Sequence, residues 1–402
     1  MKVAISKYLT EQKDNIKQLV DLLSRDFEHV SVLGTDVKSK TYFVNKTGAG
    51  ISDSSWAERG FVARLHNGYN YSEYSFNRLS GDGVQRLYDV IKASVSDDLR
   101  VIKETNMLIS KYPLMGENSI KESYFKEIKI PLESVNPEEK IRKLTEIKDK
   151  ALTYSDLLVD LHVNYDECHI SKIFISTNRE LEQSYVWTSG SIFAIAMKEE
   201  RTKYYYDVVS GLKGVEILDE LKAIAKGVVE SAEKLLDAKK MEGGVYDVIC
   251  SPDIAGLIAH EAFGHGVEMD MFLKNRAKAV EFIGKKVASE YVNMHDGAAS
   301  ANHMATYLFD DEGTIGTDTL IIDRGILKSG ISDLLSAQKL GTQPTGNGRR
   351  ESFERKAYAR MTNTFFARGN HKLVDMIASV KSGFLLEGVL SGMEDPKNWG
   401  IQ

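Results

Sequence analysis

Val245-Tyr246-Asp247-Val248-Ile249-Cys250-Ser251-Pro252-Asp253-Ile254-Ala255-Gly256-Leu257-Ile258-Ala259-His260-Glu261-Ala262-Phe263-Gly264-His265-Gly266 is the stretch from which the rest of this chain is best read. Residues 245–250 make a short run rich in β-branched residues and read as a strand. Ser251 and Pro252 then give a helix start, with a hydroxyl at the N-cap and proline at the first helical position. The spacing of Ile254, Leu257 and Ile258 points one helix face toward a core. The same helix carries His260, Glu261 and His265. Histidines four apart lie about 40° from each other around an ideal helix, whereas five apart gives about 140°. A single π-turn absorbs the extra residue and returns the second imidazole to the first, and Gly264 and Gly266 tolerate such a distortion. The reading is therefore a helix that bulges or breaks between Ala262 and Gly266, with His260 and His265 converging on a zinc ion. Glu261, next to the first ligand, is placed to take a proton from a water activated at the metal and to pass it to a leaving amine.

Upstream, Tyr8, Leu9, Ile16, Leu19, Val20, Leu22 and Leu23 recur at helical spacing over residues 7–25. Residues 30–33, 41–44, 60–65 and 71–76 read as strands of an antiparallel meander, closed by a helix near 83–94. Pro137-Glu138-Glu139 opens a charged helix, and residues 155–163, 168–177, 180–189, 192–198 and 202–208 give a second series of strands before a helix at 214–236. Farther on, residues 320–327 read as a hairpin around Asp323-Arg324-Gly325, and 332–340 as a helix stopped by Gly341. The expectation is an α+β protein. Residues 1–210 form a mixed domain of two antiparallel meanders with helices, and 211–402 a metal domain with a β-rich C-terminal part. The metal helix faces a cleft.

Bulk properties narrow the function. With 42% apolar and 27% charged residues the 402-residue chain has the balance of an ordinary globular protein. A net charge of −6 argues against broad affinity for nucleic acid. Two cysteines, Cys168 and Cys250, are too few for a disulfide framework and suit a reducing compartment, and both read as buried, non-catalytic thiols. The N-terminus lacks a signal-peptide core and no run approaches the length of a membrane span, so the expectation is a cytoplasmic protein without a membrane partner. A catalytic zinc needs a third protein ligand, for which Glu268, His295, His303 and the run Asp310-Asp311-Glu312 are open candidates. Glu268 can instead orient His265.

With these residues in view, the chain resembles the TldD/PmbA family, specifically its TldD branch. The resemblance rests on residues 260–268, on Asp310-Asp311-Glu312-Gly313-Thr314, on Arg360-Met361-Thr362-Asn363-Thr364 and on Ser391-Gly392-Met393-Glu394-Asp395-Pro396 continuing through Lys397-Asn398-Trp399-Gly400, in that order. It implies a zinc peptidase acting on small or unfolded polypeptides, such as peptide precursors and labile antitoxins. It also implies a heterodimer with a metal-free sister subunit, a homodimer being the other arrangement. An extended substrate would be held as an added strand, with Gly346, Gly348, Arg349, Arg360, Thr362 and Asn363 lining the cleft. Read from residues alone, 346–350 is a flexible basic turn. The family's third ligand is implied to be a cysteine beyond the Met393-Glu394-Asp395-Pro396 motif. This sequence stops at Gln402 with no cysteine after Cys250, and is read as a shortened form or one with a substitute ligand.

Three other readings compete. A peptide-binding subunit without catalysis would keep the cleft and lose the metal. A nucleic-acid-associated regulator is disfavoured by the acidic balance and the lack of a DNA-reading motif. An iron centre of two histidines and a carboxylate is opposed by Glu261, which stands where a hydrolytic base belongs.

Overall fold

The computed structural model describes residues 1–105, 111–114, 116–389 and 391–401. Helix α1 (Lys7–Leu23) buries Leu9, Ile16, Leu19, Val20, Leu22 and Leu23, the stripe its periodicity requires. Strands β1 (Val30–Val44), β2 (Ala49–Asp53), β3 (Glu58–His66) and β4 (Tyr71–Phe76) follow, then helix α2 (Val84–Thr105) and strand β5 (Ile120–Phe125). Helix α3 (Pro137–Leu152) starts with Pro137, and the Asn136 side chain accepts from the Glu139 amide. Strands β6 (Leu158–Ser176), β7 (Arg179–Lys198) and β8 (Arg201–Gly211) lead to helix α4 (Ile217–Leu236).

The two series of strands do not form separate meanders. β1 pairs along its length with β6, which joins them in one eight-stranded sheet of order β4-β3-β1-β6-β7-β5, with β2 added on β1 and β8 on β7. Only β5 runs parallel to its neighbour. Several expected short strands are halves of long ones: residues 30–33 and 41–44 are both β1, and 155–163 and 168–177 are both β6. The helices cover one face. Val30, Val32 and Ile175 pack there with α1 and α2, while Tyr42, Val44 and Val163 pack with α3 and α4. Helix α4, beyond the division expected at 210/211, packs on β7 and β8.

Side chains alternate along a strand, so the opposite face carries Leu33 and Phe174, which meet Phe309 of the C-terminal half. That half begins with β9 (Asp247–Cys250) and α5 (Pro252–Ile258), followed by α6 (Met269–Leu273). Strands β10 (Met294–Gly297), β11 (Thr319–Asp323) and β12 (Ile326–Leu327) join β15 (Asn363–Phe366) in a sheet of order β12-β11-β10-β15. The β11–β12 turn has Arg324 at φ 45° and Gly325 at φ 79°, the left-handed pair that a two-residue hairpin demands. Between the sheet's members lie α7 (Leu334–Leu340), capped by Asp333 and closed by Gly341, and the small hairpin β13 (Gly348–Arg349) and β14 (Tyr358–Ala359). Near the end, α8 (Leu373–Ser379) precedes β16 (Gly383–Leu386), which pairs in parallel with β9. The class is α+β, with helix and sheet in both halves.

The halves are fastened by the acidic turn at 310–314. Glu312 pairs with Arg64 at 2.5 Å, with both side chains buried, and Asp311 pairs with Lys172. Asp310 accepts from the amides of Glu312, Thr314 and Gly348. Gly313, at φ 77°, lies against Phe174, where a Cβ would come within 2.3 Å of the ring. Burial, then the neighbouring Glu312, pushes the Asp310 carboxyl well above its usual range. For Asp311 burial acts in the same direction, but Lys172 and the Arg350 amide outweigh it and hold the carboxyl low.

Candidate metal centre

Helix α5 does not continue as an α-helix through the histidines. Ala259–Gly264 is a π-turn and His265–Val267 a 3₁₀ turn, so the backbone changes pitch twice within nine residues. Bonding from i to i+5 puts residues five apart on one face. The rings of His260 and His265 accordingly meet edge to face, with centroids 4.7 Å apart and planes at 85°. Three neighbours hold the distorted segment. Trp399 donates through Nε1 to the Ala262 carbonyl at 2.5 Å and packs its ring on Phe263 and Phe282. Met361 lies on Gly264 so closely that a Cβ there would stand 2.0 Å from its sulfur. Glu394 lies over Gly266, where a Cβ would be 3.0 Å from Oε1. These contacts explain both glycines. Ile254, Leu257 and Ile258 are only partly buried, contrary to the expected core stripe; Ala259 is the buried member of that segment.

His260 is exposed while Glu261 is 9% exposed, so the carboxylate is recessed beside an accessible imidazole. Burial, and then the neighbouring His265, holds His260 below its ordinary pKa and favours the neutral ring that binds metals. His265 shifts the other way because Glu268 interacts with it, the Nδ1 to Oε1 distance being 3.6 Å. Glu268 is 2% exposed and also faces Arg360 Nη1 at 3.5 Å. It thus lies behind His265, where it can fix the ring's orientation.

Glu394 is the residue the sequence did not mark for a role. Its two oxygens are buried without a hydrogen-bond partner of normal geometry among the described residues. Burial pushes its carboxyl up to about 7, with Glu261 and Glu268 adding to the shift and His265 and the Gly266 amide opposing it. A buried carboxylate left unpaired is costly, and near His265 it marks a place where positive charge is wanted. His260 and His265 supply two imidazole donors of the kind zinc takes. Among the described residues no three His, Cys, Asp or Glu side chains are already gathered as a complete ligand set.

Among the described residues none of the other ligand candidates is gathered with the histidine pair into a ligand set. His295 bonds Asp318 at 2.9 Å and stacks on Phe365. The amide of His303 donates to Thr306 in a loop. Asp310, Asp311 and Glu312 form the latch between the halves. Cys168 is buried in β6 and burial pushes its thiol up to about 12, whereas Cys250 is only partly buried at the end of β9.

The residues expected to line a cleft divide into two groups. Gly346 (φ 74°) accepts from Tyr307 through its carbonyl, and Gly348 donates to Asp310, so both build the latch. Thr362 donates through its amide and hydroxyl to Asp296, which is 1% exposed, and Asn363 donates to Gly297, Ala301 and Thr306. Their side chains are committed to holding β15 on β10. Arg349, which donates to the Met361 carbonyl at 2.9 Å, and Arg360 are the two that face an open groove. No sequence pattern announced Asp296; Met361, Glu394 and Trp399 lay inside quoted motifs without an assigned task.

Residues 130–236 match the model of the PmbA/TldA metallopeptidase central domain, and residues 243–402 that of the PmbA/TldA metallopeptidase C-terminal domain. A metalloprotease of Methanocaldococcus jannaschii is 28% identical over 355 residues, 85% of this chain and 74% of that protein. A protein of Saccharolobus solfataricus named as a zinc metalloprotease TldD homolog is 28% identical, with 64% of this chain matched to 58% of its length. Among solved structures, one from Thermotoga maritima titled a putative modulator of a DNA gyrase superposes with a TM-score of 0.77 at 18% identity. It covers 94% of this chain and 83% of that one, and at this identity the likeness is one of fold.

Proposed function

Because the chain belongs to the TldD/PmbA metallopeptidase family, we propose that it is a zinc-dependent peptidase of small or unfolded polypeptides, with Glu261 as its base. The observation that carries this reading is the π-turn at Ala259–Gly264, which puts two imidazoles in contact and leaves a recessed carboxylate between them in sequence. His260 and His265 would hold the ion through neutral ring nitrogens, and Glu394 offers a carboxylate whose two oxygens are unpartnered among the described residues. A zinc ion there supplies Lewis-acid polarisation of the scissile carbonyl and makes water a nucleophile at neutral pH. Glu261 would accept the water's proton and return it to the leaving amine. Glu268 orients His265, and Trp399 keeps the π-turn from relaxing to a regular helix by occupying the Ala262 carbonyl. An extended substrate bound mainly through its backbone would make the site tolerant of sequence. Among the described residues no helix is long and apolar enough to cross a membrane. A metal-free sister subunit of the same family is the proposed partner.

The test compares wild type with Glu261→Ala, each purified with the sister subunit, for bound zinc and for cleavage of an unfolded peptide mixture. Zinc in both with cleavage in wild type alone supports the reading. The second reading, a peptide-binding subunit without catalysis, draws on the absence of a gathered third ligand among the described residues. It would be favoured by peptide binding without zinc or cleavage.

A further inference from the structure

The β13–β14 hairpin presents a cationic groove that the peptidase reading leaves unexplained. The groove, about 660 Å³, is lined by five cationic side chains and two carboxylates, together with Trp56 and Tyr358. Two of the cations are already matched: Arg350 pairs with Glu73 and Arg360 leans on Glu268. Arg349, Arg355 and Lys356 have no acidic partner within ion-pair distance among the described residues, and Arg355 and Lys356 are exposed. The loop that carries them is fixed in place. Phe353 sits on Gly60 of β3, where a Cβ would come within 2.3 Å of the ring. Its amide donates to Glu58 and its carbonyl accepts from Ser75. Arg350 donates to the Arg355 carbonyl at 2.6 Å, closing the loop on itself. The backbone that carries the unpaired cations is therefore fixed before a ligand arrives, which lowers the ordering cost of binding.

Arg360 links the groove to the metal centre, since it contacts Glu268, which faces His265. We propose that this groove selects acidic polypeptide segments and feeds them toward the histidine pair, with Arg349, Arg355 and Lys356 receiving substrate carboxylates. This inference rests on the peptidase reading but names a substrate class for it. A peptide is favoured over a nucleic acid because Glu351 and Glu354 stand among the cations and would repel a continuous phosphate backbone, while spaced carboxylates avoid them.

The experiment measures binding in the Glu261→Ala background, so that it does not depend on turnover. A fluorescein-labelled decapeptide bearing four Glu is compared by anisotropy with the same peptide bearing four Gln, at low and at moderate salt. The expected result is at least about tenfold tighter binding of the Glu peptide, a difference of about 1.4 kcal/mol. The preference should shrink with added salt and vanish in Arg355→Glu/Lys356→Glu. Arg355→Gln/Lys356→Gln, which removes charge without reversing it, should lie between. Equal affinity for the two peptides, or a preference that survives both double variants, overturns the inference. So does displacement of the Glu peptide by single-stranded DNA of equal charge at lower concentration. If wild type cleaves the Gln peptide while no charge preference is seen, the inference fails and the peptidase reading stands. If a charge preference is seen without any cleavage, the groove is supported and the peptidase reading fails.

Discussion

Replacing Gly264 by alanine should expose how tightly the π-turn is held. The new Cβ would lie 2.0 Å from the Met361 sulfur and 3.2 Å from its methyl carbon. Ordinary contact is about 3.5–4 Å, so the sulfur must retreat by roughly 1.5–2 Å by that comparison. The backbone at 361–362 cannot move freely to allow this. Arg349 holds the Met361 carbonyl, and Asp296 holds the amide and hydroxyl of Thr362. The methionine has to leave its rotamer, and overpacking of this kind costs about 1–3 kcal/mol. Alanine regains up to about 1 kcal/mol of helix propensity over glycine, so the net loss should be near 1 kcal/mol. The sharper quantity is the coupling. In a Met361→Ala background the clash is gone, and Gly264→Ala should become neutral or stabilising. A double-mutant cycle by denaturant unfolding should therefore give an interaction energy of at least about 1 kcal/mol. Zinc affinity should fall in Gly264→Ala and recover in the double variant, because the residue lies between the two imidazoles. Additivity within about 0.5 kcal/mol, or unchanged zinc affinity in the single variant, would refute the argument.

The latch gives a second expectation: Glu312→Gln removes the nearer of the two carboxylates that face the buried Arg64 guanidinium, leaving Glu73 at 3.8 Å, and should destabilise the chain by about 3 kcal/mol in denaturant unfolding. A loss below about 1 kcal/mol, typical of surface pairs, would mean that the pair does not fasten the halves. Thiol labelling of the native protein should modify Cys250 and spare Cys168, which reacts only after unfolding; labelling of both thiols at equal rates would contradict the burial described for β6. Hydrogen bonds from Lys13, then from Lys17, lower Glu180 to about 2. A depressed carboxylate contributes stability that is present above its unfolded pKa of about 4.3 and is lost as pH falls toward 2. Glu180→Gln should accordingly weaken the protein at neutral pH and flatten its acid unfolding between those limits, whereas an unchanged acid profile would show the contact to be idle.

Much of the C-terminal half was legible because its signals are local. The hairpin at 319–327, the helix ended by Gly341 and the bulge between two histidines each follow from a few adjacent residues whose backbone preferences agree. The large sheet was harder to read. Asp36, Lys38, Ser39 and Lys40 look like a break between two strands, yet β1 runs straight through them. The buried pair among them is met by distant partners, Arg59 on Asp36 and the Glu167 carbonyl for Ser39, while Lys38 and Lys40 face outward. Glu167 itself sits mid-strand in β6 because Lys140 of α3 neutralises it within a buried contact that also takes the Tyr42 hydroxyl. A single-sequence pattern registers the charge and not its partner more than 20 residues away. The same limit explains the acidic turn, whose carboxylates suggest metal ligands until Arg64 and Lys172 are seen opposite them. Arg355 and Lys356 gave no signal of a groove, since only the docking of Phe353 on Gly60 shows that their loop is fixed.

The account depends on His260 and His265 acting together as metal ligands, and zinc content measures that most directly. Wild type, Glu261→Ala, His260→Ala and His265→Ala would be loaded with zinc, dialysed side by side and analysed for metal per chain. The account predicts zinc in the first two and its loss from both histidine variants with the fold intact by circular dichroism. Undiminished zinc in His260→Ala and His265→Ala would contradict it, and would place any metal of this protein away from the π-turn.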